Sequence, residues 1–152
     1  MRYLLDTNII SNFTKPAPSE ALIAWMEDQA DQDLFISAFT VAEVRRGVLE
    51  KPAGKRRDQL DAWFSGPQGP QSLFAGRVLP FDEKAGLAWA QLMADGTANG
   101  RPRSALDMIV AAIAIANDCV VVTDNTRDFT AVENINPLKS DLTPERKSSD
   151  DR

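Results

Sequence analysis

The 152-residue chain contains no histidine. That absence excludes Ser-His-Asp and Cys-His triads, histidine-based zinc sites and every acid–base mechanism that relies on an imidazole. A single cysteine, Cys119, excludes an internal disulfide and a cysteine-cluster metal site, and fits a reducing compartment. No apolar run approaches the roughly 18 residues of a membrane span. Nor does an apolar stretch of about 7–15 residues follow Met1, so no secretory leader is expected and the reading is cytoplasmic, with no membrane partner. Glycine-rich phosphate loops and GxGxxG are missing too, which leaves nucleoside-triphosphate and dinucleotide sites without a motif. Chemistry must then come from carboxylates, hydroxyls, amides, Lys/Arg or a hard metal ion. Carboxylates are the most plentiful: 22 Asp and Glu stand against 17 Lys and Arg, a formal charge of −5.

The length suits one ordinary domain, and 43 % hydrophobic residues suffice for one core. Tyr3-Leu4-Leu5 reads as a buried strand running into a loop at Asp6-Thr7-Asn8. Ser19 is placed to cap a helix whose Leu22, Trp25 and Met26 share a face. Leu34–Ser37 is a second strand candidate. Thr40 is expected to open a helix carrying Val41, Val44 and Val48, broken by Pro52 and Gly54. An amphipathic stretch with Leu60, Trp63 and Phe64 follows, then a loop over Ser65–Pro70. Arg77–Leu79 predicts a short strand, and Asp82 caps a helix holding Leu87, Trp89 and Leu92. After the Gly96–Pro102 loop, Ser104–Ile115 is apolar nearly all round, as in a buried helix. Cys119–Thr123 is a continuous β-branched run of the kind found inside a parallel sheet. Ile135 marks a weak last strand. Alternating strands and helices predict a single α/β domain over 1–138, and the polar stretch 139–152 reads as a disordered tail.

Four places offer carboxylates for chemistry. Asp6 follows a predicted strand, where the carboxyl edge of a parallel sheet collects ligand sites, although it also suits a helix cap or turn. Glu43 lies three residues after Thr40, the spacing of a capping box, and Asp107 stands in the same relation to Ser104. Both are placed in the first turn of a helix that starts at the same sheet edge, so Asp6, Glu43 and Asp107 can converge. The segment Thr123-Asp124-Asn125-Thr126-Arg127-Asp128-Phe129 after the Val-rich strand supplies two more acids and an amide; turn chemistry alone also explains Asp124-Asn125. Carboxylates gathered without basic partners repel one another, and a divalent cation resolves the repulsion. Oxygen ligands without His or Cys favour Mg²⁺ or Mn²⁺ over zinc.

The fragments LLD6TNIIS, TVAE43VRRG, ALD107MIVAAIA and VVTDN125TRD128F, in this order, resemble the PIN-domain ribonucleases, and within them the VapC/FitB-type toxins of bacterial toxin–antitoxin modules. The similarity runs from about residue 2 to about residue 138, and the set of four fragments is far more specific than any one. It implies a central parallel sheet of four to five strands with helices on both faces, and an acidic pocket that uses Mg²⁺ or Mn²⁺ to hydrolyse RNA phosphodiesters. By the resemblance, Asp6 and Asp107 are the principal metal ligands and Glu43 the second acid. Thr7, Asn8 and Thr123 shape the pocket. In the pattern T-x-N/D-x-x-D/E-F, Asp128 takes the place of the fourth acid with Asn125 beside it. Asp124 fills a variable slot that is often basic or polar in relatives, and stands as an alternative fourth acid. The resemblance also implies a homodimer and a small VapB/FitA-like antitoxin, through which a larger toxin–antitoxin assembly binds operator DNA.

A surplus of acid is unexpected in a protein that binds phosphates. Distribution matters, because Arg45–Arg57 carries six basic residues against Glu50 alone, a local +5. That run is either a solvated face or an RNA-guiding rim including Arg45 and Arg46, with Arg101 and Arg103 as further contributors near Asp107. Trp25, Met26, Trp63 and Phe64 belong either to the core or to a partner groove. Competing functions are a housekeeping RNA-processing or DNA-acting nuclease of the same fold, and a non-catalytic metal-binding regulatory module. A receiver-like module would need an Asp after Leu34–Ser37 and a Lys after Val122, and the chain has neither. A haloacid-dehalogenase-type phosphatase would need Asp at position 8, where Asn8 stands.

Overall fold

The computed structural model describes residues 1–139. Strands β1 (Arg2–Leu5), β2 (Leu34–Ser37), β3 (Val78–Leu79), β4 (Cys119–Val122) and β5 (Asn134–Ile135) pair in the order β3-β2-β1-β4-β5, every pairing parallel. The connecting helices are α1 (Thr7–Asn12), α2 (Glu20–Glu27), α3 (Ala38–Leu49), α4 (Lys55–Ser65), α5 (Pro70–Leu73), α6 (Glu83–Ala98) and α7 (Ala105–Ala116). β1 is therefore the central strand, with β4 and β2 on either side of it.

Successive side chains on β1 and β4 point to opposite faces, and both faces are covered. That is why these runs are apolar without alternation. Leu4 and its partner Val121 pack with Met108, Val110 and Ile113 of α7 and Leu92 of α6. Leu5 and Val122 face the other way, onto Ile9 and Ile10 of α1, Leu22 of α2 and Val44 of α3. All but Leu92 and Val44 in these two sets are at most 4 % exposed. Burying each such side chain contributes roughly 1.5–3 kcal/mol. The α/β domain with helices on both faces is as the sequence predicts.

Three local expectations change. Asp6-Thr7-Asn8 is no loop: the Asp6 side chain accepts from Thr7 N at 2.9 Å and caps α1 directly at the strand end. α3 begins at Ala38, two residues early, because Ser37 rather than Thr40 is its cap; Ser37 Oγ accepts from Thr40 N at 2.9 Å. α6 runs through Gly96 to Ala98 before Asn99 and Gly100 (φ +71°) end it. By contrast Ser19, Asp82 and Ser104 cap α2, α6 and α7 as expected. Of the proposed tail 139–152, residues 140–152 lie outside the described residues. Among the described residues no helix is long and apolar enough to cross a membrane.

Candidate active site

The site lies at the carboxyl edge of the sheet. Asp6 N still takes part in strand pairing, donating to Val122 O at 2.8 Å, while its side chain leaves the sheet at the start of α1. The carboxylate is only 8 % exposed and accepts from three groups. Thr7 N binds Oδ1 at 2.9 Å; the Thr123 hydroxyl and Asn8 Nδ2 bind Oδ2 at 2.9 and 3.3 Å. Thr123 stands immediately after β4, so one hydroxyl ties the ends of two neighbouring strands together. Asn8 Oδ1 in turn accepts from Asp124 N at 3.2 Å, fixing the next loop against α1. Asp6, Thr7, Asn8 and Thr123 thus form one connected network.

Glu43 reaches the same region by another route. It is the sixth residue of α3, in the second turn, and is not part of a capping box because Ser37 already caps the helix. Its Oε1 accepts from Thr7 Oγ1 at 2.5 Å. Thr7 Oγ1 also lies 3.1 Å from Thr40 Oγ1, which lies 3.2 Å from Ser37 Oγ. A hydroxyl has one proton. Since Thr7 gives its proton to the carboxylate, the consistent arrangement is Ser37 to Thr40, Thr40 to Thr7, and Thr7 to Glu43. Ser37 and Thr40 are wholly buried, and this chain satisfies both. The sequence reading missed their part in the site; the available signal was a Ser at the end of a strand, three residues before a Thr.

Asp107 occupies the first turn of α7, with its N–H donating to Ser104 Oγ at 3.2 Å. Asp128 lies in a 3-10 turn over Thr126–Phe129 and accepts from Asn125 Nδ2 at 2.6 Å. Phe129, wholly buried, anchors that turn in the core with Leu4 and Met108. Asp124 and Asp128 are both exposed, but Asp124 meets the site through its backbone N–H alone.

Electrostatics link the acids. Burial pushes the Asp6 carboxyl up to about 6, with Asp107 and Glu43 adding to the rise and the bonds from Thr123 and Thr7 opposing it. Asp107 is raised as well, first by burial and then by Asp128. Among the described residues none of Asp6, Glu43, Asp107 and Asp128 has a Lys or Arg in salt-bridge range. No three of the carboxylates close on one point as a ready-made cage. The donor set nevertheless fits a divalent cation: it is all oxygen and mutually repelling, and among the described residues no Lys or Arg salt-bridges to it.

The basic residues divide into two groups. Arg45 pairs with Asp61 at 2.6 Å and lies over the Phe64 ring, and Arg46 pairs with Glu50 at 2.8 Å. Arg101 and Arg103 instead line a cavity of about 650 Å³ that also reaches Asp128 and Arg127. Of the four large side chains weighed as core or groove, Phe64 is core and Trp25 stacks edge-on against Tyr3 at 5.0 Å. Met26 and Trp63 line an open apolar cavity of about 520 Å³ with Ile10, Phe13 and Phe74.

Known proteins resemble this chain along nearly its whole length. The VapC ribonuclease Y4jK of Sinorhizobium fredii is 41 % identical over 136 residues, covering 88 % of this chain and 96 % of that protein. Toxin FitB of Neisseria gonorrhoeae is 38 % identical over 130 residues, covering 86 % and 92 %. The solved structure of FitAB bound to an IR36 DNA fragment matches with a TM-score of 0.82 at 37 % identity, covering 90 % of this chain and 96 % of that one. The PIN domain model matches residues 3–135, from β1 to the end of β5. With its central Asp6, the sheet order around it and this match in hand, the chain belongs to the PIN-domain family.

Proposed function

We propose that this chain is a divalent-metal-dependent endoribonuclease toxin that hydrolyses RNA phosphodiester bonds and is neutralised by a small antitoxin protein. One observation carries the reading: Asp6 is buried at a sheet edge beside two further acids, with hydroxyl and amide donors arranged around it and, among the described residues, no Lys or Arg in salt-bridge range. Relatives named VapC ribonuclease, toxin FitB and tRNA(fMet)-specific endonuclease support the substrate class and the toxin role. Under this proposal the chain works in the cytoplasm as a homodimer and, with its antitoxin, joins a larger assembly on operator DNA.

Asp6 and Asp107 would hold the cation, and the all-oxygen donors suit Mg²⁺ or Mn²⁺. When bound, such an ion makes water acidic enough to attack at neutral pH and neutralises charge on the phosphoryl group. The protein does the rest. Thr123, Asn8 and Thr7 N fix the Asp6 carboxylate, and Thr7 fixes one Glu43 oxygen so that the other can orient or deprotonate a water. Asn125 holds Asp128 beside Asp107 as the fourth acid, which favours Asp128 over Asp124. Arg101 and Arg103 are better placed for RNA than Arg45 and Arg46, whose guanidinium groups already meet carboxylates.

The test is cleavage of an RNA mixture by wild type, Asp6→Asn and Asp107→Asn, with Mg²⁺ or Mn²⁺ and with EDTA. Cleavage by wild type alone, abolished by EDTA, is the expected result. Equal cleavage in EDTA, or full activity in either variant, overturns the metal–carboxylate reading. Cleavage confined to DNA would favour the DNA-acting alternative, and cation binding without cleavage the regulatory one.

A further inference from the structure

The cavity beside Asp128 is basic in a protein whose overall charge is −5. Arg101, Arg103 and Arg127 all line it, and among the described residues none of the three forms a salt bridge. Asp128, the acid on its wall, has one oxygen taken up by Asn125. Elsewhere the two recorded ion pairs absorb the charges of Arg45 and Arg46. Three guanidinium groups against one carboxylate leave the wall of this concavity with a surplus of positive charge, which an anion from outside the chain can meet.

The basic wall is also built in advance. Arg103 Nη1 donates to Leu92 O at 2.6 Å, which leaves its other N–H donors available. Arg101 N donates to Gly96 O at 2.8 Å, closing the end of α6. This close approach requires glycine: a Cβ at position 96 would lie 2.9 Å from Arg101 O and 3.0 Å from Arg103 Cγ. Gly96 thus seats the Arg101–Arg103 segment against α6 immediately before α7, whose first turn carries Asp107. The cavity's volume of about 650 Å³ lies within the range of sites that take a nucleotide-sized ligand.

We infer that this cavity is a phosphate subsite, in which Arg101, Arg103 and Arg127 hold the RNA backbone phosphate next to the one being cleaved. The inference rests on the ribonuclease reading and adds a residue, Arg127, that the sequence reading passed over although it lies within the fourth acidic motif. The subsite acts on substrate capture. It sets the register of the strand against Asp107 and Asp128 and leaves the chemical step to the acids.

Steady-state cleavage of a short fluorogenic single-stranded RNA tests this in the full chain with Mg²⁺ or Mn²⁺, across a series of salt concentrations. Arg101→Ala and Arg127→Ala should each raise KM about tenfold and leave kcat within about twofold. The slope of log(kcat/KM) against log salt should become shallower by about 0.7 for each. Arg127→Lys should restore the slope, because an ammonium still neutralises a phosphate. Gly96→Ala should raise KM in the same way by displacing both flanking arginines. Wild-type KM and salt slope in both Arg→Ala variants would overturn the subsite and leave the ribonuclease reading standing. A fall in kcat at constant KM would overturn it too, by moving the arginines into the chemical step. A wild-type chain that cleaves no RNA under any divalent cation would overturn both.

Discussion

Thr7 donates its hydroxyl proton to the Glu43 carboxylate across 2.5 Å, joining two residues 36 positions apart in the chain. This bond, backed by Thr40 and Ser37, is what orients Glu43, so Thr7 is a positioning residue. Thr7→Val keeps the shape and removes the proton. It should lower kcat about 10- to 100-fold with little change in KM, the usual cost of losing a group that orients a site residue. Thr7→Ser should recover most of the loss. A Thr7→Val enzyme with wild-type kcat would show that Glu43 needs no such support.

The raised Asp6 carboxyl makes the metal-free protein sensitive to pH in a definite direction. A carboxyl whose folded value lies near 6, above its ordinary 3.8, favours the folded state fully below about 3.8. That contribution is lost as pH rises through about 6, and the loss amounts to about 3 kcal/mol by pH 7. Urea unfolding in EDTA should therefore show Asp6→Asn gaining stability relative to wild type between pH 4 and pH 7.5. A gap of equal size at both pH values would contradict the assignment. Added Mg²⁺ should raise the wild-type Tm more at pH 7.5 than at pH 5, because cation and proton compete for the same oxygens.

Asp128 and Asp124 can be separated directly. Asp128 acts on the charge of Asp107 and is held by Asn125, whereas Asp124 meets the site through its backbone N–H, which donates to Asn8. Asp128→Asn should cut RNA cleavage by about tenfold or more, and Asp124→Asn by less than about twofold. The reverse ranking in the same assay would transfer the fourth position to Asp124.

Phe129 links this loop to the core. It is wholly buried against Leu4 and Met108, so Phe129→Ala should cost about 3–5 kcal/mol in urea unfolding. A cost below about 1 kcal/mol would mean that the 3-10 turn carrying Asp128 is not anchored there.

The apolar cavity between α1, α2, α4 and α5 suits an antitoxin segment. Ile23 and Leu73 on its rim are exposed, so charging them should leave folding intact. Ile23→Asp or Leu73→Asp should weaken antitoxin binding by more than about tenfold in calorimetry while cleavage of RNA without antitoxin stays at the wild-type rate. Unchanged affinity in both would place the antitoxin elsewhere.

The strands and most helix starts were legible in the sequence because their signals are local. β4 announces itself by CVVV, and Ser19, Asp82 and Ser104 each stand at the head of a helical apolar period. The α3 cap was not, because Ser37 ends a strand and begins a helix at once, and Thr40-x-x-Glu43 imitates a capping box one turn later. The tie from Thr7 to Glu43 and the basic cavity depend on contacts between distant segments, which spacing alone cannot show. Nor does a count of arginines reveal that Arg45 and Arg46 are neutralised while Arg101 and Arg127 are not.

The single hydroxyl of Thr123 has a consequence for how the protein is made. It bonds Asp6 across 117 positions, and Asp107 and Asp128 join the site from segments synthesised just before and after it. A nascent chain that has not yet delivered β4 therefore carries Asp6 without the Thr123 hydroxyl that helps to hold it. Asp6, Asp107 and Asp128 come together only when β4 and the turn after it have folded onto β1, so the acidic edge is assembled late in the making of the domain.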